Sequence, residues 1–239
     1  MLKIIITKID KVHSISKNIK KDLILLGVNK DKIVKIPNTI YIKKINSVSF
    51  KKKKKYLNLL TVARFAERKK GFDFIGNLGK QLKGKLKFRW TIIGRDSHKI
   101  IQYKFVKENK NFFKSIPQIS NQNENFFPHS SLIKYYKNSD IYIHLSRIES
   151  FGISIIEAMS ANLPILALKA KGSDELIKEN INGFFFNFKK NKFLKKINLI
   201  KKNKLNLNKL KKYNNIYLKN FDLEFATKKM IIEYKKILN

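Results

Sequence analysis

The chain has 239 residues, 43% of them hydrophobic and 18 of them Phe, so it can bury a proper core and is not a disordered polymer. It has no cysteine, which excludes a disulfide framework, a thiolate metal site and a cysteine nucleophile, and no apolar run approaches the roughly 18 residues of a membrane span. The net charge of +36 admits polyanion binding but does not select it: the excess is nearly all Lys, Arg stands only at positions 64, 68, 89, 95 and 147, and base-edge readers lean on Arg.

Taken in order, MLKIIITKIDK carries an apolar run too short for a secretory leader. Residues 12–36 read as a strand (Val12 to Ile15), a helix (Lys17 to Leu26) with Ser16 as N-cap, a turn at Gly27 and a strand (Ile33 to Ile36). Residues 42–56, which include five consecutive lysines at 51–55, read as a solvated basic linker. Residues 57–83 read as a strand, a loop and an amphipathic helix, with Arg64 and Lys70 in the loop. A guanidinium and an ammonium six residues apart at a strand's carboxyl end can clamp a diphosphate from two sides. FRWTIIGRDS is a strand ending at Gly94, where a missing Cβ allows a ligand close to the backbone. Residues 116–130 are polar and read as a loop, and a short helix follows with Leu132, Tyr135 and Tyr136 on one face. His129 reads as an exposed loop residue, and His13, His98 and His144 lack metal-ligand spacing with Asp or Glu, so no metal site is expected.

The stretch from Asp140 to Leu168 organises the rest. DIYIHLS alternates as a strand, RIESFGISIIEAMSANL reads as a loop and a helix carrying Glu149 and Glu157, and PILAL is a second, buried strand. This is a βαβ unit, in which the helix N-terminus opens at the carboxyl end of the sheet. There the unpaired amides and the helix dipole favour an anion such as a diphosphate. Eight positions on a helix rise about 12 Å with an angular offset of about 80°. Glu149 reads as lying before the first full turn, which shortens the gap, and the two carboxylates still serve separate groups rather than share a proton. Asn162, which tolerates the left-handed conformation, can end the helix. Residues 189–220 carry ordinary amphipathic helical spacing, and Phe221 to Leu238 reads as one amphipathic helix.

The string ESFGISIIEAMSANLPILAL resembles the signature of the retaining glycosyltransferases of family 4, which have the two-domain GT-B architecture. The resemblance extends over most of the chain. Arg64, Lys70 and Gly71 match an Arg and a Lys-Gly pair after the first strand of the family's C-terminal domain. Gly172, Glu175, Asn182 and Gly183 match a Gly-Gly-x-x-Glu segment and an Asn-Gly turn, with Lys171 in place of the first Gly. Gly94 matches the first position of a Gly-x-Gly whose second glycine is here Asp96. Pro37 and Asn38 fit the pair that precedes the interdomain linker, and Thr39 stands where Gly is usual.

The resemblance implies an α/β fold: a Rossmann-like doubly wound parallel sheet over 57–220, a remnant of the acceptor domain at 1–41, the linker at 42–56 and a helix at 221–239 that crosses back. It implies transfer of a sugar from a nucleotide-sugar to a glycan or lipid-linked acceptor with retention, in cell-envelope polysaccharide synthesis. Arg64 and Lys70 would act on the diphosphate and Glu149 on the donor sugar. Phe151 and the amides of Gly152, Ile153 and Ser154, with Gly94, would line the donor site, and Glu157 would accept the ribose hydroxyls. No cofactor is expected beyond the nucleotide-sugar substrate, and no metal. The expected location is cytoplasmic, with weak attraction to the anionic inner face of the membrane. Two other readings stay open: a donor-binding half that works with a separate acceptor-domain chain, and a basic nucleic-acid binder, for which no recognition motif is present.

Overall fold

The computed structural model describes residues 9–48, 55–119, 127–170, 172–188, 192–202 and 205–238. Two short parallel strands, β1 (Val12–Ser14) and β2 (Ile33–Lys35), flank α1 (Lys17–Leu25). Ser16 caps α1 as expected, its hydroxyl accepting from the Ile19 amide at 3.1 Å.

The main sheet has six parallel strands: β3 (Leu57–Val62), β4 (Phe88–Ile93), β5 (Phe113–Ile116), β6 (Ile141–His144), β7 (Ile165–Leu168) and β8 (Gly183–Phe186). Their spatial order is β5-β4-β3-β6-β7-β8. The chain therefore winds outward from β3 in one direction and from β6 in the other, as the doubly wound expectation requires. Strand β5, with only Phe113 and Ile116 to alternate against Lys114 and Ser115, is too weakly patterned to be read from its residues alone.

Adjacent residues on the strands feed opposite cores, which is why these strands read as continuous apolar runs. Leu59, Trp90, Ile143 and Leu166 join one cluster with α3 (Ile75–Leu82); Leu60, Ile93, Tyr142 and Ile165 join the other with α5 (Ser130–Asn138) and α6 (Ile153–Ser160). Helix α4 (Lys104–Glu108) sits between β4 and β5 in sequence, and α7 (Lys192–Lys201) and α8 (Leu207–Leu218) follow β8. Asn214 on α8 donates to the Met159 carbonyl at 2.9 Å, fixing α8 on α6.

The range read as a solvated linker is partly structured. Residues Ile42–Ser47 form α2, and Ile45 is fully buried in the second core. The i, i+3 spacing of Ile42 and Ile45 supplies the apolar stripe that the neighbouring lysines mask in the composition. Lys51 to Lys54 lie outside the described residues.

The last helix, α9 (Leu223–Leu238), crosses back to the N-terminal segment: Lys229 Nζ donates to the Lys35 carbonyl at 2.9 Å, and Ile40 bridges to Asp222. Among the described residues no helix is long and apolar enough to cross a membrane.

Candidate active site

The strand order reverses between β3 and β6, and a crevice forms where their carboxyl ends part. A cavity of about 410 Å³ occupies it. Arg64, Lys70, Glu149, Phe151, Gly152, Ile153, Ser154 and Glu157 all line this cavity, so eight of the nine expected residues converge. Gly94 does not line it. It sits at the end of β4 with its amide on the Ile116 carbonyl at 3.0 Å, packed against the Ala63 backbone one residue before Arg64. The N-terminal segment contributes Ile15 and Asn38 to the opposite wall.

The basic side of the cavity comes from the loop after β3. Arg64 is exposed and makes no ion pair among the described residues. Lys70 is not free: its Nζ lies 2.7 Å from Glu149 Oε2, both side chains being mostly buried. Two glycines make this pairing reachable. A Cβ on Gly71 (φ +71) would lie 2.1 Å from the Leu145 carbonyl oxygen, and one on Gly172 (φ +99) would lie 1.9 Å from that of Glu149. Both loops are thus pressed onto the β6 edge where no side chain fits. Arg147 locks the Lys70 loop from outside. Its guanidinium binds Asp73 through two hydrogen bonds, at 2.8 and 2.6 Å, and stacks 3.8 Å from the Phe74 ring centre.

Glu149 lies before the helix rather than on it. Gly152 (φ +96) is the N-cap residue of α6, and the chain turns there. Burial pushes the Glu149 carboxyl up, but the hydrogen bond and charge of Lys70 lead the contributions that outweigh it and hold the pKa below the usual carboxylate value. Gly152 offers no side chain to cap α6, and the amides of Gly152, Ile153 and Ser154 make no backbone hydrogen bond among the described residues. These three residues line the cavity at a helix N-terminus, where unpaired amides are hydrogen-bond donors for an anion. Phe151 lines the cavity with its ring buried edge-on against Phe221.

Glu157, one helical turn further in, has the opposite surroundings. It is 2% exposed, and burial raises its pKa to about 7 despite a 2.6 Å hydrogen bond to Oε2 from the Tyr136 hydroxyl. Its Oε1 is buried and has no partner. Burial likewise holds the Tyr136 hydroxyl protonated, and Tyr142 donates to Ser154 Oγ at 2.7 Å.

Sequence reading missed three residues. Tyr136 and Tyr142 fit an apolar face and a strand, yet a buried tyrosine needs a partner for its hydroxyl, and here the partners are site residues. His144, set aside for lack of metal spacing, ends β6 inside the cavity, with Nε2 3.7 Å from Glu149 Oε2. Burial lowers its pKa to about 4, so it is neutral and this contact is not an ion pair.

Glu175, matched to the family by sequence, does not cap the short segment that follows it. Its two oxygens accept from the amides of Lys17 and Asn18, at 2.9 and 2.8 Å, capping α1 across 158 and 157 residues.

The sequence profile described as glycosyl transferases group 1 matches residues 42–216. A 41.2 kDa protein in the cps region of Klebsiella pneumoniae is 28% identical over 171 residues, which is 68% of this chain and 43% of that protein. The alpha-monoglucosyldiacylglycerol synthase of Acholeplasma laidlawii is 27% identical over 128 residues, 54% of this chain and 31% of that enzyme. The chain thus spans less than half the length of these curated relatives. Among solved structures, a glycosyltransferase from Rickettsia africae superposes with a TM-score of 0.81 at 22% identity, over 100% of this chain and 67% of that one. Anabaena HepE in complex with UDP-glucose superposes with a TM-score of 0.75 at 16% identity, over 95% and 64%. With a match over most of its length and the GT-B fold in common, the chain belongs to the glycosyl transferases group 1 family.

Proposed function

We propose that this chain binds a nucleoside-diphosphate sugar and transfers its hexosyl group, with retention, to a glycan or lipid-linked acceptor of the cell envelope. The observation that carries this reading is the buried, unpartnered Glu157 Oε1 in the same cavity as the open amides of 152–154 and the cations Arg64 and Lys70. The arrangement suits a ligand with hydroxyls at one end, a diphosphate in the middle and a polar ring at the other.

In this reading the chemistry is charge handling. As the glycosidic bond breaks, negative charge grows on the diphosphate. Arg64 and the helix N-terminal amides meet it without reorganising, and Lys70 can turn two remaining donors to it while holding Glu149. A metal is not required for that step. Glu157 accepts the ribose hydroxyls, and Glu149, held ionised, faces the sugar. The named activity of the Acholeplasma relative and the ligand of the Anabaena structure support the lipid acceptor and the donor class respectively. Retention rests on the resemblance of the Glu-x-Phe-Gly stretch. The chain's charge of +36 would add attraction to an anionic bilayer, which vesicle binding should lose as salt rises.

The test is calorimetry with UDP, GDP and their sugars. Glu157→Ala should weaken the favoured donor at least tenfold; an affinity within twofold of wild type contradicts the ribose role.

A further inference from the structure

Among the described residues, two buried polar atoms in the cavity have no partner, and the ribose reading uses only one. The other is His144 Nε2. His144 is 4% exposed, and the three residues before it on β6 are Ile141, Tyr142 and Ile143. A buried ring nitrogen without a hydrogen bond is destabilising, a cost that an apolar residue there would avoid. Such an atom in a cavity wall points to a ligand that completes it.

The surroundings select the ligand's chemistry. Around Nε2 stand the Lys70 ammonium and the Glu149 carboxylate, already paired with each other at 2.7 Å. The imidazole is neutral, because burial opposes its charge more than Glu149 favours it. The neutral imidazole itself carries no charge to offer a phosphate, but it suits a hydroxyl. The gap from Nε2 to Glu149 Oε2 is 3.7 Å. An oxygen about 2.8 Å from each atom fits across that gap. It would donate its proton to the carboxylate and accept one hydrogen bond from the imidazole N–H, so both of its roles are filled.

We propose that His144, together with Glu149, reads one hydroxyl of the donor sugar and so helps set which sugar the chain accepts. This rests on the nucleotide-sugar reading of the cavity and adds a specificity residue to it. A site built to hydrogen-bond a substrate hydroxyl rejects the analogue without it, because its own buried group then stays unpaired.

The experiment separates the sugar from the rest of the donor. Dissociation constants are measured for wild type, His144→Leu and His144→Gln against UDP, UDP-glucose, UDP-galactose, UDP-N-acetylglucosamine, GDP and GDP-mannose. The quantity read is the factor by which the best sugar improves on its own diphosphate. His144→Leu should lower that factor about tenfold while the diphosphate affinity stays within twofold, which also shows that the variant is folded. His144→Gln, which carries an amide nitrogen to nearly the same reach, should restore part of it. An unchanged factor in His144→Leu overturns the assignment, and so does equal weakening of sugar and diphosphate or a wild-type factor of one across the panel. If wild type binds neither diphosphate, the nucleotide-sugar reading itself fails and this assignment falls with it.

Discussion

Glu149 and Glu157 stand eight positions apart and line one cavity, yet their surroundings are opposite. The loop around Glu149 supplies a cation at 2.7 Å, and its carboxyl is held ionised. Glu157 is buried on α6 with one tyrosine hydroxyl, from Tyr136 on α5, and burial raises its pKa to about 7. The difference comes from the backbone. Gly152 ends the loop and starts α6, so one carboxylate sits before the helix, against the Lys70 loop, and the other sits on the helix face that meets the sheet. A pair of identical side chains thus becomes a fixed anion and a protonation-sensitive acceptor.

The strongest way to break that contrast is to remove the cation. Lys70→Ala leaves Glu149 buried beside a neutral imidazole, and donor turnover should fall by roughly 10² to 10³. A loss below fivefold would show that Glu149 needs no such partner. In the same variant Glu149 should titrate higher than in wild type, readable as a shifted acid limb of the pH–rate profile.

Next is Glu157→Gln, which keeps an acceptor for Tyr136 but cannot ionise. The sign follows from the raised pKa. Between the ordinary carboxylate value of 4.5 and about 7 the folded state holds a proton that the unfolded state has lost, so wild-type stability falls as pH rises through that window. The variant should match wild type near pH 4.5 and exceed it above pH 7 by about 3 kcal/mol. Urea unfolding at both pH values checks this, and equal midpoints at pH 8 would contradict the burial argument.

Gly172→Ala tests the loop contact without touching a charge. The new Cβ would collide with the Glu149 carbonyl oxygen at a backbone angle that alanine resists. Stability should drop by about 1–3 kcal/mol, with a larger proportional loss of turnover as Glu149 leaves Lys70. Arg147→Lys should have the smallest effect. It loses the two-pronged contact to Asp73 and the stacking on Phe74, but the site is a third exposed. Thermal unfolding should register about 1 kcal/mol or less.

What sequence could show follows from how local each cause is. Ser16 capping α1 and Asn162 ending α6 at φ +55 each arise within one turn of chain, so local residue type was enough, whereas the convergence of Arg64 with Gly152 joins two units and was implied only by the family resemblance. Glu175 was legible only as a motif position, because the amides it caps lie 158 and 157 residues away. Glu149 could be read as preceding the first full turn, but the positive φ of Gly152 that turns the chain there could not be read. Helix α2 was hidden because its stripe rests on Ile42 and Ile45 inside a lysine-rich stretch. The state of His144 depends on burial and on two charges from separate loops, and no pattern along β6 announces either.

The most direct measurement is the proton balance of nucleotide binding. Calorimetric titration of the chain with its preferred nucleoside diphosphate at pH 7, in two buffers of different ionisation enthalpy, counts the protons exchanged. Ribose hydroxyls donating to Glu157 Oε1 favour the carboxylate, so wild type should release a fraction of a proton more than Glu157→Gln, the release from the ligand's own phosphate being common to both. Absence of binding, or the same release from both proteins, would contradict the account.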